Sequence, residues 1–410
     1  MIPRIEFTPD APAPLDGIRV IDLSRLVAGN MVSLQLADQG AEVIKIEDPK
    51  VGDPLRAWRV KGLSLHWKVY ARNKKSVAID LRAQAGRDAL LDLLASAQVM
   101  IENYRPGTLE AMGLAPEVLH RRNPGLIIVR ITGFGQDGPY RDRPGFGTLV
   151  EAMSGFAAKN GFDDRPPVLP PLAMADMVAG LYGAYAVMVA LRVAERGGPK
   201  GARGQVIDLP LLEPMISVLG PDAATYRVSG QKPRRTGSRS LTTSPRNVYA
   251  TSDDRYVAIS ASIQAMAERL FRAIGRPDVI EDPRFRTNTD RVRNIDLCDG
   301  IVADWIRERT LAETMAVFEA AEVTASPVYE IDQLIDDPHI QARGVLVEAP
   351  DEEAGSVLMH NVIPRLSETP GRLRTPAPRL GEHTRSVLRS IGYSEGQLAD
   401  LATANVIREG

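Results

Sequence analysis

The first 135 residues alternate two hydrophobic periods. Short runs rich in Val and Ile, "IRVIDLS", "AEVIKIE", "KSVAIDL", "QVMIEN" and "LIIVRITGFG", are interleaved with stretches of helical spacing, "NMVSLQLADQG", "GRDALLDLLASA" and "TLEAMGLAPEVLHRR". Strand segments that are apolar almost throughout must be covered on both faces, and such strands alternating with amphipathic helices predict an α/β domain with a largely parallel, Rossmann-like sheet. "GQVIDLPLLEP" adds one more strand and the start of a helix. The composition then changes: "GQKPRRTGSRSLTTSPR", Gly230 to Arg246, is polar, basic and turn-rich, as a linker or mobile surface loop is. "NVYATSDDRYVAISA" predicts a hairpin around Asp253 and Asp254, and three helical patterns follow. We therefore expect a large domain over 1–226, a smaller α+β domain over 227–335, and a segment 336–410, with a strand at "VLVEAP" and a helix at "EHTRSVLRSIG", that returns to the first domain.

Several function classes are disfavoured. The 410 residues carry a net charge of −2 and no basic stripe interleaved with aromatics, so no nucleic-acid partner is expected. Cys298 stands alone and the five His are scattered, which leaves no disulfide framework and no metal-ligand spacing and suits a reducing cytoplasm. "MIPRIEFTPDAPAPLDG" lacks the apolar core of a signal peptide, and the apolar stretch that begins at Met177 is short for a bilayer span and dotted with Gly and Ala. A buried helix is the expectation there, with no membrane partner.

Four stretches carry candidate chemistry. "GFGQDG", Gly133 to Gly138, has the letters of the dinucleotide fingerprint, but Pro139 follows where a helix should open, so it reads as a tight strand-exit loop. "LVAGN" followed by "IED" offers one glycine where that fingerprint needs three. "IENYRPG" ends a strand, where open α/β sheets gather ligands; Asn103, Tyr104 and Arg105 offer an amide, an aromatic face and a cation, or else form a plain strand-to-helix turn with Pro106. "ARNKKSVAIDLR" brings Arg72, Lys74, Lys75 and Arg82 together, either as a solvated rim or as a polyphosphate site.

Asp176 heads the apolar helix of "PLAMADMVAGLYGAYAVMVALRVAE". A helix N-cap is one reading, worth about 1 kcal/mol. Ala175, Ala179, Gly180, Gly183 and Ala184, however, line one side with small residues, and each helical Gly costs roughly 1 kcal/mol against Ala. Either another backbone packs there or a bulky ligand passes beside Asp176.

These pieces resemble the class III CoA-transferases, the formyl-CoA transferase and carnitine CoA-transferase (CaiB/BaiF) group. The likeness runs through "PLDGIRVIDLSRLVAGNMVSLQLADQGAEVIKIE", "NKKSVAIDLR", "VMIENYRPGTLEAMGL", "ITGFGQDGPYRDRPGFGTLVEAMSG", "ADMVAGLYGAYAVMVALRVAERGGPKGARGQVIDLPLLE", "EDPRFRTNTDRVRN", "ASPVYEIDQLIDDPHIQARG" and "APRLGEHTRSVLRSIGY". It implies that Asp176 is a covalent nucleophile, carrying first an acyl group and then CoA, with no permanently bound cofactor and with CoA thioesters and carboxylic acids as substrates. On this view the small residues beside Asp176 leave room for the thioester arm. It implies the CoA nucleotide along Ile79, Asp80, Leu81 and Arg82, with Arg82 to a phosphate, and the pantetheine arm past Asn103, Tyr104 and Arg105, near Leu26 and Met112. It further implies an interlocked homodimer. Tyr104 replaces a Phe of many members, and Ala111 replaces an Arg of some, for which Arg105 would substitute. Many members have an acid at the position of Gly147, and relatives with "GFGTL" act on short dicarboxylic acids such as succinate, malate, citramalate or mesaconate. The glycine run of the oxalate-handling type is absent, with "TGSRSLTTSPR" in its part of the chain. Arg25, Phe146, Gly147 and Thr148, with the Arg-rich linker, are candidates for the acceptor. Two other functions remain open at this point: an α-methylacyl-CoA racemase using a His–Asp pair, although no His lies near Asp176 in sequence, and a CoA-ester-binding protein without turnover.

Overall fold

The computed structural model describes residues 1–197 and 203–410; the stretch "GPKGA" at 198–202, quoted above, lies outside the described residues. The chain divides into two compact units. One is built from Met1–Phe156, Leu169–Pro221 and Pro338–Gly410, the other from Ala157–Val168 and Asp222–Asp337. No break in composition marks Ala157–Val168. It joins the second unit through main-chain contacts such as Gly237 N–H to Gly161 O (2.8 Å), with the Arg235 guanidinium on Phe162 O (3.0 Å).

The first unit is organised by a seven-stranded sheet. Six of its strands are β1 (Arg19–Asp22), β2 (Glu42–Glu47), β3 (Lys74–Ile79), β4 (Val99–Glu102), β5 (Ile127–Thr132) and β6 (Val206–Pro210). In the second unit β7 (Arg246–Ala250), β8 (Tyr256–Ser260) and β9 (Ala325–Pro327) form an antiparallel sheet, with the hairpin turn at Asp253 and Asp254. The returning segment supplies an antiparallel pair to the first unit, β10 (Leu346–Asp351) and β11 (Gly355–His360), and then β12 (Ile407–Arg408).

The large sheet runs β12-β3-β2-β1-β4-β5-β6, parallel throughout except for β12, which pairs antiparallel with β3 at Ile407 and Ile79. Alternate side chains of the buried strands serve opposite faces. Val20, Val43, Val99 and Val129 pack under one layer of helices, while Ile21, Ile44, Met100 and Ile128 pack under the other. Each such burial contributes about 1.5–3 kcal/mol. The first layer holds α1 (Ala28–Asp38), α2 (Gly147–Met153) and α3 (Met174–Glu195). The second holds Gln84–Leu94 and the C-terminal helices Thr384–Ser390 and Glu395–Thr403.

The order β3-β2-β1-β4-β5-β6 reverses direction between β1 and β4. Chain leaving their carboxyl ends diverges there, and the crevice that results is where open sheets of this kind take ligands. Leu23 to Leu26 leave β1 and Asn103 to Arg105 leave β4 at that place.

Candidate active site

The loop after β1 is built rigidly. Lys45, fully buried on β2, sets its ammonium 3.2 Å from Asp22 Oδ1 and 3.1 Å from Asp53 Oδ2, and it donates to the Ser24 carbonyl. Burial alone would strip its proton, but the two carboxylates hold its proton affinity above the ordinary lysine value. Asp53 Oδ1 accepts the N–H groups of Leu26 (3.0 Å) and Leu55 (2.8 Å), which fixes Leu26 in a left-handed conformation (φ 64°). From Leu26 the chain turns directly into α1. Removing Lys45 would take the nearest cation from two buried carboxylates, at a cost of about 3–5 kcal/mol.

Asp176 is not the cap of its helix. The N-cap position of α3 is Ala173, and Asp176 is the third helical residue. This corrects the cap reading and frees the carboxylate for other work. The backbone N–H of Ala28, at the start of α1, and that of Asp176 itself favour the ionised form, so two helix termini face one anion. Burial pushes its pKa up, the negative charge of Glu151 pushes it further, and the two N–H groups pull it back, leaving it at about 6.

The small residues of α3 serve a helix, which corrects the expectation that they make room for a thioester arm. A β-carbon at Gly180 would lie 2.5 Å from Met31 Cβ, and one at Gly183 would lie 2.7 Å from Val32 Cγ2. Only glycine lets α1 come this close, and that approach is what brings the Ala28 N–H to Asp176. By length and composition alone α3 is able to cross a membrane. Here its small-residue face is packed within the α/β unit.

A cavity of about 300 Å³ opens at the carboxyl ends of the strands. The structure brings seven sequence-predicted residues to its wall: Arg25, Ile79, Asp80, Leu81, Arg82, Tyr104 and Met112. Asp48, the acid that closes "IED", lines it too, as does Asp53, which the sequence did not signal. Arg82 is mostly exposed, with a guanidinium nitrogen 3.0 Å from Asp48 Oδ2. Leu26, Asn103 and Arg105 stand off this wall. The Asn103 amide clamps the main chain of Arg25 through two bonds of 2.8 Å, joining the β1 and β4 exits, and Arg105 donates to Asp142 O at 2.7 Å. Asn103 is thus a brace for the crevice.

The four cations around β3 do not act together as a solvated rim or as a polyphosphate site: two are buried and two are not. Arg72 is buried against Asp38 (2.6 Å). Lys74 is buried with bonds of 3.0 Å to Asn30 O and Oδ1, and burial pushes its pKa down to about 7. Lys75 pairs with Glu42. Only Arg82 of the four reaches the cavity.

Around Asp176, Gly147 opens α2, the buried Glu151 lies one turn on, and Phe146 and Thr148 are exposed beside them. Glu151, 2% exposed, accepts the N–H of Ala175 at 3.0 Å. It escaped the sequence reading; its one signal was an acid in register with the buried face of a helix that also presents Gly147 and Val150. Among the described residues, four histidines are engaged away from Asp176. His120 bonds Leu126 O, His360 bonds Asn361 O and contacts Arg72, His383 meets Ser76 N, and His66 lies between Trp58 and Tyr70. A His–Asp racemase pair finds no support in this arrangement. A larger cavity, about 530 Å³, is lined by Arg56, Trp67, Lys68, Asp351 and Pro378, touches none of the predicted residues, and has Arg56 and Lys68 paired with Glu47 and Asp351. Among the described residues no cluster of His, Cys, Asp or Glu is placed to hold a metal ion.

The model of CoA-transferase family III matches residues 15–384. A succinyl-CoA–D-citramalate CoA-transferase of Chloroflexus aurantiacus is 39% identical over 400 residues, covering 97% of this chain and 98% of that protein. A succinate–glutarate CoA-transferase of Agrobacterium fabrum is 35% identical over 393 residues, covering 93% and 97%. The crystal structure of a CAIB/BAIF family protein from Brucella suis superposes with a TM-score of 0.81 at 32% identity, over 92% of this chain and 99% of that one.

Proposed function

The chain belongs to CoA-transferase family III, and from that premise we propose that it moves CoA from succinyl-CoA to a short dicarboxylic acid, such as malate, citramalate or mesaconate, through covalent intermediates on Asp176. The observation that carries this reading is the Asp176 carboxylate itself. It is partly desolvated and basic for an aspartate, yet ionised above about pH 6, and it is held at two helix termini. A free carboxylate in water is a weak nucleophile; one positioned and partly stripped of water is a competent one.

The steps balance without a cofactor. An Asp176 oxygen attacks the thioester carbonyl and the C–S bond breaks, giving a mixed anhydride and CoA thiolate. The thiolate attacks the aspartyl carbonyl, releasing succinate and leaving an aspartyl-CoA thioester. The acceptor carboxylate displaces the thiolate to form a second anhydride. The thiolate then attacks the acceptor's acyl carbon, forming the new thioester and restoring Asp176. The N–H groups of Ala28 and Asp176 are the donors available to the oxyanion at the aspartyl carbonyl.

The cavity wall of Ile79 to Arg82, Tyr104 and Met112 suits the nucleotide and the start of the arm. Arg25 is exposed at that wall, and its guanidinium makes no ion pair among the described residues; we assign it to the acceptor's second carboxylate, and Phe146 and Thr148, exposed at the head of α2, to the same acid. Relatives that act on D-citramalate and L-malate support the acceptor class. The exposed apolar face of α3 supports an interlocked homodimer, and the lone, buried Cys298 suits a reducing cytoplasm.

The test is trapping. Protein incubated with succinyl-CoA and then treated with hydroxylamine or borohydride should lose activity only after exposure to donor, with the modification on the Asp176 peptide. Asp176→Ala should bind CoA and transfer nothing. Turnover by that variant would remove the assignment.

A further inference from the structure

Two carboxylates, not one, stand at the start of α3. Gly147 and Glu151 are one turn apart on α2 and face the same place: a β-carbon at 147 would fall 2.2 Å from Asp176 Oδ2, and Glu151 Oε1 takes the N–H of Ala175 at 3.0 Å. We infer that Glu151 is a positioning residue for the nucleophile, whose charge, fixed one residue away on the Ala175 N–H, keeps the Asp176 carboxylate basic. The inference rests on the reading of Asp176 as nucleophile and adds how its reactivity is set.

Two effects act in the same direction. Ala175 N–H is one of the free donors of the helix terminus, which would otherwise favour the aspartate anion; Glu151 occupies it. Its charge also opposes ionisation of a second carboxylate nearby, and because Glu151 is buried, salt screens that charge weakly. Other charges around α3 are directed elsewhere. The first turn of α1 carries no acid and faces Asp176 with the Ala28 N–H. Arg130 of β5 is engaged with Glu102 and Glu110, Asp208 of β6 accepts from Gln136 N–H, and Glu213 on the helix Leu212–Ser217 is exposed. Glu151 is therefore the ionic neighbour that distinguishes this carboxylate from an ordinary one.

Glu151→Gln separates charge from structure, since Gln keeps the size and the acceptor for Ala175 N–H. The readout is the acid limb of kcat/KM for succinyl-CoA, which reports ionisation in the free enzyme, alongside CoA binding. We expect the Gln variant to bind CoA as the parent does, with its acid limb moved down by about one pH unit. Glu151→Asp, which keeps the charge, should retain the parental limb. An unmoved limb in the Gln variant overturns the inference. So does an Asp variant displaced as far as the Gln variant. Loss of CoA binding in the Gln variant overturns it as well, because the residue's role would then be to hold the fold. Failure of the nucleophile reading is seen in a different protein, as transfer by Asp176→Ala.

Discussion

The space that a side chain at residue 147 would need is filled by the carboxylate of Asp176: a β-carbon there would sit 2.2 Å from Oδ2 and 3.4 Å from Cγ. The head of α2 and the head of α3 share one small volume, and glycine is what lets the carboxylate occupy it. Gly147→Ala would force the carboxylate to turn away from the Ala28 N–H. Displacing a reacting group by an ångström costs on the order of 10²-fold, so kcat should fall by about 10- to 100-fold while CoA affinity stays near the parental value. Gly147→Asp should be worse, since it adds a second charge as well as bulk. Steady-state kinetics with a CoA titration decide this, and an unchanged kcat in the Ala variant would show that the carboxylate has room to spare.

Asp176 should also destabilise the fold at the pH where it works. Burial and Glu151 raise its pKa to about 6 from the ordinary 3.8. The folded state then binds the proton more tightly than the unfolded chain, so stability falls as pH rises through the interval between the two values. The cost is absent below pH 4 and fully present above pH 7. With the side chain half-buried we put it at about 1–3 kcal/mol. Asp176→Asn should therefore melt higher than the parent at pH 8, with the gap closing as pH drops and gone near pH 4. A gap independent of pH would assign the effect to packing.

The sheet was legible because its strands are buried on both faces, and "IRVIDLS" and "LIIVRITGFG" state that burial without help from distant residues. The crevice was legible for the same reason, since it follows from where those strands end. Other features depend on partners far away in sequence. Arg72 and Lys74 read as a charged rim, yet Asp38 and Asn30 of α1 receive them in the interior. Asp176 resembled a cap because the start of α3 offers no capping side chain of its own, and the helix begins two residues earlier at Met174. Glu151 stood unremarked in "GFGTLVEAMSG", and only the packing of α2 on α3 reveals its aim. The strand β12 is two residues long, too short to carry a period.

Arg82 should matter for the nucleotide and not for the chemistry. It lies on the cavity wall, mostly exposed, with Asp48 as its near partner, so it is free to exchange that carboxylate for a phosphate. Arg82→Ala should raise KM for an acyl-CoA about 5- to 20-fold, the equivalent of about 1–2 kcal/mol, and leave kcat within about two-fold. The same variant should show no such defect with an acyl-pantetheine donor, which lacks the nucleotide. Equal defects on both donors would place the nucleotide elsewhere.

The far side of α3 makes a prediction about assembly. Leu181, Tyr182, Tyr185, Met188, Val189 and Val193 are all exposed, Tyr185 at 70%, and their spacing puts them on one face, opposite the glycines that receive α1. A contiguous apolar surface of this kind is rare on a soluble monomer and marks a covered face. If a second copy covers it, a charge placed there must be buried unpaired on association, which costs several kcal/mol. Tyr185→Asp with Val189→Asp should leave the fold intact, since neither side chain is in the core, and should shift the species seen by sedimentation from dimer towards monomer at micromolar concentration. A parent that sediments as a monomer, or a double variant that remains a dimer, would show that this face is not the interface.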